Sequence, residues 1–168
     1  MKQIQNVSCI KFKKKTKETN YLLIKRGFDG CKTSLGYAKG VQSMYIDMYD
    51  CSSIGLLLHQ FLHVLGFVHT HTRFDRNGHI AVRWRNIAKS DWDKFQMLSD
   101  EFVSTYGTVY DYKSVMHWPA KAYTKNRGIT LYPFNLTYLY ALGHATELSE
   151  GDTLRLNRMY NCKRKRGM

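Results

Sequence analysis

Residues 59–69 read HQFLHVLGFVH, and no other stretch restricts the fold of this chain so sharply. His59 and His63 are four apart, so on a helix their imidazoles leave one face a turn apart. The residues before them support that helix. Ser52 or Ser53 can cap it, and Ile54, Leu58, Phe61 and Leu65 mark one apolar stripe. Gly66 can take the left-handed conformation that ends a helix and turns the chain, which lets His69 return toward the other two. A lone H-x-x-x-H is a weak sign, whereas the full spacing H-x-x-x-H-x-x-G-x-x-H is specific. Two imidazoles one turn apart can reach a tetrahedral zinc at about 2.0–2.1 Å, and a third leaves the fourth position open to water. His59, His63 and His69 are therefore the expected Zn2+ ligands. His71, His79, His117 and His144 lack such spacing and read as surface or structural.

Around this helix the pattern is strands first and helices later, an α+β plan with a cleft between two lobes. MKQIQNVSC reads as the end of an amphipathic helix with Ile4 and Val7 on one side. CIKFKKKTK alternates Ile10 and Phe12 with Lys11 and Lys13, the pattern of a strand. NYLLIKRG is a second strand candidate, and SLGYAKG and VQSMYIDMY are two more, joined across Gly40. A helix is expected to start at Ser90 or Asp91 and to carry Trp92, Phe95 and Leu98. LSEGDTLRLNRMY is the last clear helix, with Leu148 and Ser149 at its entry.

The 168 residues suit one domain, and 43% hydrophobic residues are enough for a core. That domain is expected over 1–162, followed by a basic tail over 163–168. No apolar run is long enough to cross a bilayer, and no signal peptide is visible at the start. Cys9, Cys31, Cys51 and Cys162 include no C-x-x-C pair, which argues for two disulfides, with three pairings open. The sequons at Asn6 and Asn135 point the same way, toward a secretory compartment. A net charge of +13 suits an acidic partner, but no nucleic-acid-binding motif accompanies it. Nothing in the sequence sets an oligomeric state.

The stretch HQFLHVLGFVHTHTRFDRN resembles the metzincin signature, and specifically the astacin family, whose motif continues through a T-R-x-D-R run. YDYKSVMHW is similar to that family's S-x-M-H-Y segment, and SCIKF, Gly30-Cys31 and the closing MYNC agree. The resemblance covers nearly the whole chain. It implies a zincin fold, with a twisted mixed sheet lobe, a helical and irregular lobe, and a zinc cleft between. It implies Met116 in the turn beneath the metal, the pairings Cys9–Cys162 and Cys31–Cys51, and secretion. It also implies that the family's opening strand and most of its first helix are missing here, so the natural chain is expected to start earlier. The family's edge strand, on which an extended peptide lies, would correspond to GVQSMYIDMY, and nearby Arg and Lys would favour an acidic peptide.

Three positions depart from the family pattern. Gln60 stands where the family has the glutamate that moves protons, and a carboxamide is not a base near neutral pH. Trp118 stands where the family has a tyrosine that steadies the oxyanion. Thr70 replaces the glutamate that receives the mature N-terminus. The expectation is a zinc metalloendopeptidase by kinship with very weak or absent proteolysis. The alternative is a non-catalytic, zinc-stabilised module that binds a peptide or protein.

Overall fold

The computed structural model describes residues 1–49 and 51–163. The expected tail over 163–168 therefore lies outside the described residues, save for Lys163, which is exposed. The chain opens with a short helix α1 (Lys2–Val7) that buries Ile4 completely. Val7 is exposed, contrary to the expected shared face, because the helix ends there and Ser8 Oγ donates to the Ile4 carbonyl at 2.6 Å.

Residues 10–13 alternate as expected, with Ile10 and Phe12 against the core and Lys11 and Lys13 outward, but residues 10–17 form no strand. A strand needs a partner for its backbone, and here side chains take that role. Gln5 Oε1 accepts from the Phe12 N–H at 2.7 Å, and Ser8 Oγ accepts from Ile10 N–H at 3.2 Å.

The main sheet contains β1 (Tyr21–Gly27), β2 (Lys32–Thr33) and β3 (Val41–Asp47), in the order β1-β3-β2. β1 runs parallel to β3, and β2 antiparallel to it. The expected strand over SLGYAKG is absent. The Gln42 amide instead gathers that segment into a bend, donating to the Ser34 and Gly36 carbonyls at 3.1 and 2.9 Å and accepting from Ala38 N–H at 3.2 Å. The expected edge strand also moves. β3 is central, and β2 is the strand that borders the cleft.

Helix α2 (Ile54–Val64) follows, capped by Ser53, whose side chain accepts from Leu56 N–H. Its inward face carries Leu58, Phe61 and Leu62, while Ile54 in the first turn is 60% exposed rather than part of the stripe. These residues join Met44 of β3, Phe67, Met116 and Leu156 in the principal core. Leu156 belongs to the closing helix α3 (Glu150–Met159), which begins with a capping box formed by Ser149 and Asp152.

A second, smaller core lies under a two-stranded antiparallel sheet, β4 (Ile80–Val82) with β5 (Leu131–Pro133). The helix expected near Ser90 is a 3₁₀ segment over Lys89–Phe95. It buries Phe95 and leaves Trp92 37% exposed against Trp84. The disulfides are Cys9–Cys162 and Cys31–Cys51, the pairing that the resemblance implied. Among the described residues no helix is long and apolar enough to cross a membrane. The architecture is α+β, with a cleft between the two cores.

Candidate metal centre

The cleft holds about 850 Å³ and runs from β2 across α2 to the turn at Val115. His59 and His63 reach it from one face of α2. The helix ends at Leu65, and Gly66 takes φ +91°, as expected of the residue that reverses the chain. His69 then comes back onto the first two. Its Nε2 lies 3.2 Å from Nε2 of His59 and 3.1 Å from Nε2 of His63. Two nitrogens bound to one tetrahedral zinc at about 2.0–2.1 Å would be separated by about 3.3 Å. The three imidazoles form a group that could hold a metal ion.

The second nitrogen of two rings decides which atoms face the cleft. His59 Nδ1 is 2.8 Å from the Val115 carbonyl, and His63 Nδ1 is 2.8 Å from the Phe67 carbonyl. A carbonyl can only accept, so each Nδ1 carries the proton and each Nε2 presents a lone pair. Two lone pairs and the His69 nitrogen thus converge, and a proton on His69 Nε2 can satisfy only one of its neighbours well. A cation held by these three nitrogens would relieve this crowding of acceptors. Burial lowers the pKa of His59 and also that of His63, to about 4, with His59 adding to the effect there. His69 is pushed down to about 2, by burial first and then by His63 and His59. All three are therefore neutral near pH 7, as metal ligation requires.

Gln60 is buried at 8% exposure, follows His59 on α2, and lines the same cleft. Trp118 lines it from the opposite wall, with its ring between those of His71 and Tyr123 at centroid distances of 4.2 and 4.9 Å. It also lies 4.8 Å from the ring of His69. Met116 is fully buried in the principal core, one residue beyond the carbonyl that orients His59. Thr70 is buried and donates its hydroxyl to Ser114 Oγ at 3.1 Å.

The remaining histidines divide. His117 is buried, its Nδ1 2.8 Å from the Trp118 carbonyl and its Nε2 2.8 Å from the Tyr110 hydroxyl. His71 is fully buried with Nε2 3.1 Å from the Lys94 carbonyl. His79 stacks on Tyr110, and His144 is exposed at the cleft rim. Of these four, read from the sequence as surface or structural, His117 and His144 line the cleft. Asp152, by contrast, escaped sequence reasoning as a residue of the site. Its carboxylate is 4% exposed, accepts from Ser114 Oγ at 2.6 Å and from Val115 N–H at 2.9 Å, and so braces the turn behind His59. Burial raises its pKa, against the pull of those hydrogen bonds. The available signal was the S-x-x-D spacing that marks a helix start, which says nothing of a distant turn.

A family model described as Astacin, a peptidase family, matches residues 1–161. The chain is 36% identical over 163 residues to zinc metalloproteinase nas-7 of Caenorhabditis elegans, a span of 96% of this chain and 42% of that protein. It is 35% identical over 162 residues to low choriolytic enzyme of Oryzias latipes, 96% of this chain and 58% of that protein. The chain thus spans about half the length of these curated relatives. Among solved structures, high choriolytic enzyme 1, a hatching enzyme zinc-protease from the same fish, superposes with a TM-score of 0.89 at 29% identity, covering 97% of this chain and 80% of that one. Myroilysin shares the fold, with a TM-score of 0.65 at 20% identity.

Proposed function

The chain belongs to the astacin family of zinc peptidases, and we propose that it keeps the zinc centre and the peptide cleft while having lost most of the proton transfer that hydrolysis needs. The observation that carries this reading is Gln60, which lines the cleft beside the first of three converging imidazoles. Zinc held by His59, His63 and His69 would act as a Lewis acid and acidify water toward a pKa of about 7. Gln60 would hold a hydrogen bond there but take up no proton near neutrality. Loss of general acid–base help alone costs on the order of 10²–10⁴ in rate. Trp118 carries an indole N–H in place of a phenol, and losing one oxyanion donor costs on the order of 10²–10³. The two losses do not simply multiply, because such residues act as a unit.

The binding half of the function does not need these side chains. Lys32 and Thr33 of β2 border the cleft, so an extended peptide can add to the sheet there through backbone hydrogen bonds. Among the described residues no Asp or Glu lines the cleft, which favours an acidic peptide or protein. A non-catalytic binding module stabilised by zinc is the second reading, and the same open cleft with a degenerate base position favours it. Two disulfides suit an oxidising compartment, so we take residues 1–162 as one peptidase-type domain of a secreted protein.

The test is Gln60→Glu assayed beside the parent on a peptide library, with zinc content matched. The parent is expected near background and Gln60→Glu about 10²–10⁴-fold faster, with peptide affinity little changed. A parent that already cleaves as fast as Gln60→Glu, in a reaction abolished by His63→Ala, would overturn the proposal.

A further inference from the structure

Ser114 Oγ has no spare hydrogen-bonding capacity. It accepts from Met116 N–H at 3.0 Å and from the Thr70 hydroxyl at 3.1 Å, and it donates to Asp152 Oδ1 at 2.6 Å. A hydroxyl has one donor and two acceptor sites, so all three are filled. The other carboxylate oxygen of Asp152 accepts from Val115 N–H at 2.9 Å and from Ser149 N–H at 3.3 Å. Three of its side chains are buried, Thr70 at 3%, Ser114 at 4% and Asp152 at 4% exposure, while Ser149 at its edge is half-buried. Water has little access to the three buried side chains to replace a lost partner.

The network touches two of the three imidazoles through the backbone it fixes. The Val115 carbonyl, on the residue whose N–H binds Asp152, is the acceptor that orients His59. The Met116 carbonyl accepts from the N–H of Thr70 at 3.0 Å, and Thr70 directly follows His69. Thr70 is thus tied to the Ser114–Met116 turn twice, once by its N–H and once by its hydroxyl. The Asp152 carboxylate is itself held at the start of α3, where Asp152 N–H donates to Ser149 Oγ at 2.9 Å.

We propose that Asp152, acting through Ser114 and Thr70, is a positioning residue of the metal centre. It touches neither metal nor peptide. It sets the turn that aims His59 Nε2 and fixes the segment that carries His69. A threonine next to the third histidine then has a defined role: it closes an internal brace where the family pattern carries a carboxylate. This inference rests on the zinc reading above. Partners that orient a metal's histidines typically carry about 10–100-fold of metal affinity.

The experiment measures zinc affinity by competition with a chromophoric chelator, for the parent, Thr70→Val, Ser114→Ala, Asp152→Asn and the Ser114→Ala, Asp152→Asn double variant. Ile4→Val serves as a control that loosens the principal core without removing a hydrogen bond of the network. The His59 Nδ1–H resonance and the melting temperature of each zinc-free protein are recorded as well. Ser114→Ala and Asp152→Asn are expected to bind zinc about 10–100-fold more weakly than the parent, and to shift or broaden the His59 signal. Thr70→Val should weaken zinc binding in the same direction. The double variant is expected to lose little more than the weaker single one, since the two residues act in one chain. Ile4→Val should lower the melting temperature and leave zinc affinity unchanged. Variants that bind zinc within about twofold of the parent, with the His59 signal unmoved, would make Asp152 purely structural and overturn the proposal. If Asp152→Asn fails to fold, Ser114→Ala decides the matter alone. A parent that takes up no zinc would defeat the zinc reading, and the His59 resonance would still judge the brace.

Discussion

Gly66 shows how one residue joins the helix to the metal centre. At φ +91° it lies where a side chain is strained, and an added Cβ would stand 2.7 Å from Met159 Cε. Gly66→Ala is expected to cost about 1–3 kcal/mol and to weaken zinc binding by displacing His69. Urea unfolding and chelator competition measure the two effects, and a loss below about 0.5 kcal/mol would show that the turn tolerates a side chain. At this scale much was legible. The convergence of three imidazoles and the turning glycine follow from spacing, because helical periodicity and the left-handed preference of glycine are local rules. The brace through Ser114 and Asp152 was not legible, since it joins residues 38 apart whose approach depends on the folded chain. The packing of Trp118 against His71 was hidden for the same reason.

At the level of elements, helices were read better than strands. α2 and α3 carry their own start signals in Ser53 and Ser149, and both caps are present. The Ser53 cap predicts a modest loss: Ser53→Ala should destabilise the zinc-free protein by about 1 kcal/mol, read from its denaturant midpoint. An unchanged midpoint would mean that packing, not the cap, starts α2. Strands failed where alternation met no partner. Residues 10–13 alternate, yet the Gln5 and Ser8 side chains satisfy backbone groups that a neighbouring strand would have taken. Residues 34–40 look extended in sequence, but Gln42 folds them into a bend. β4 and β5, three residues each, are too short to show a period.

Across the whole molecule, the two disulfides differ in reach. Cys9–Cys162 joins residues 153 apart, whereas Cys31–Cys51 spans 20. In the chain-entropy model removal of the first costs about 5 kcal/mol and of the second about 3. Thermal unfolding of the two serine double variants should therefore rank them in that order, and the reverse ranking would contradict it. Acid provides a second global test. Burial lowers His117 from 6.5 to about 4, against smaller upward pulls from the Trp118 carbonyl and Asp111. Its Nε2 already faces the Tyr110 hydroxyl, so a proton there would disturb that bond. The folded state thus binds a proton less readily than the unfolded state. Stability present above about pH 6.5 is lost as pH falls toward about 4, by on the order of 3 kcal/mol from this group alone. His71, lowered to about 3 chiefly by burial, acts in the same direction. Melts of the zinc-free protein across this range test the slope, which His117→Gln should flatten; a parent with flat stability from about pH 7 to about pH 4 would contradict the assignment. The charge of +13 and the overall α+β class were plain from sequence, while the second small core was not, because its residues are scattered from Ile80 to Leu131.

Three imidazoles are proposed to meet at one ion, and X-ray absorption at the zinc edge on the purified, zinc-loaded protein tests this directly. The expected spectrum shows one zinc per chain, with three imidazole nitrogens at about 2.0–2.1 Å, and His63→Ala loses that signature. Zinc bound at less than one per chain with fewer imidazoles, or retained in full by His63→Ala, would contradict the central claim.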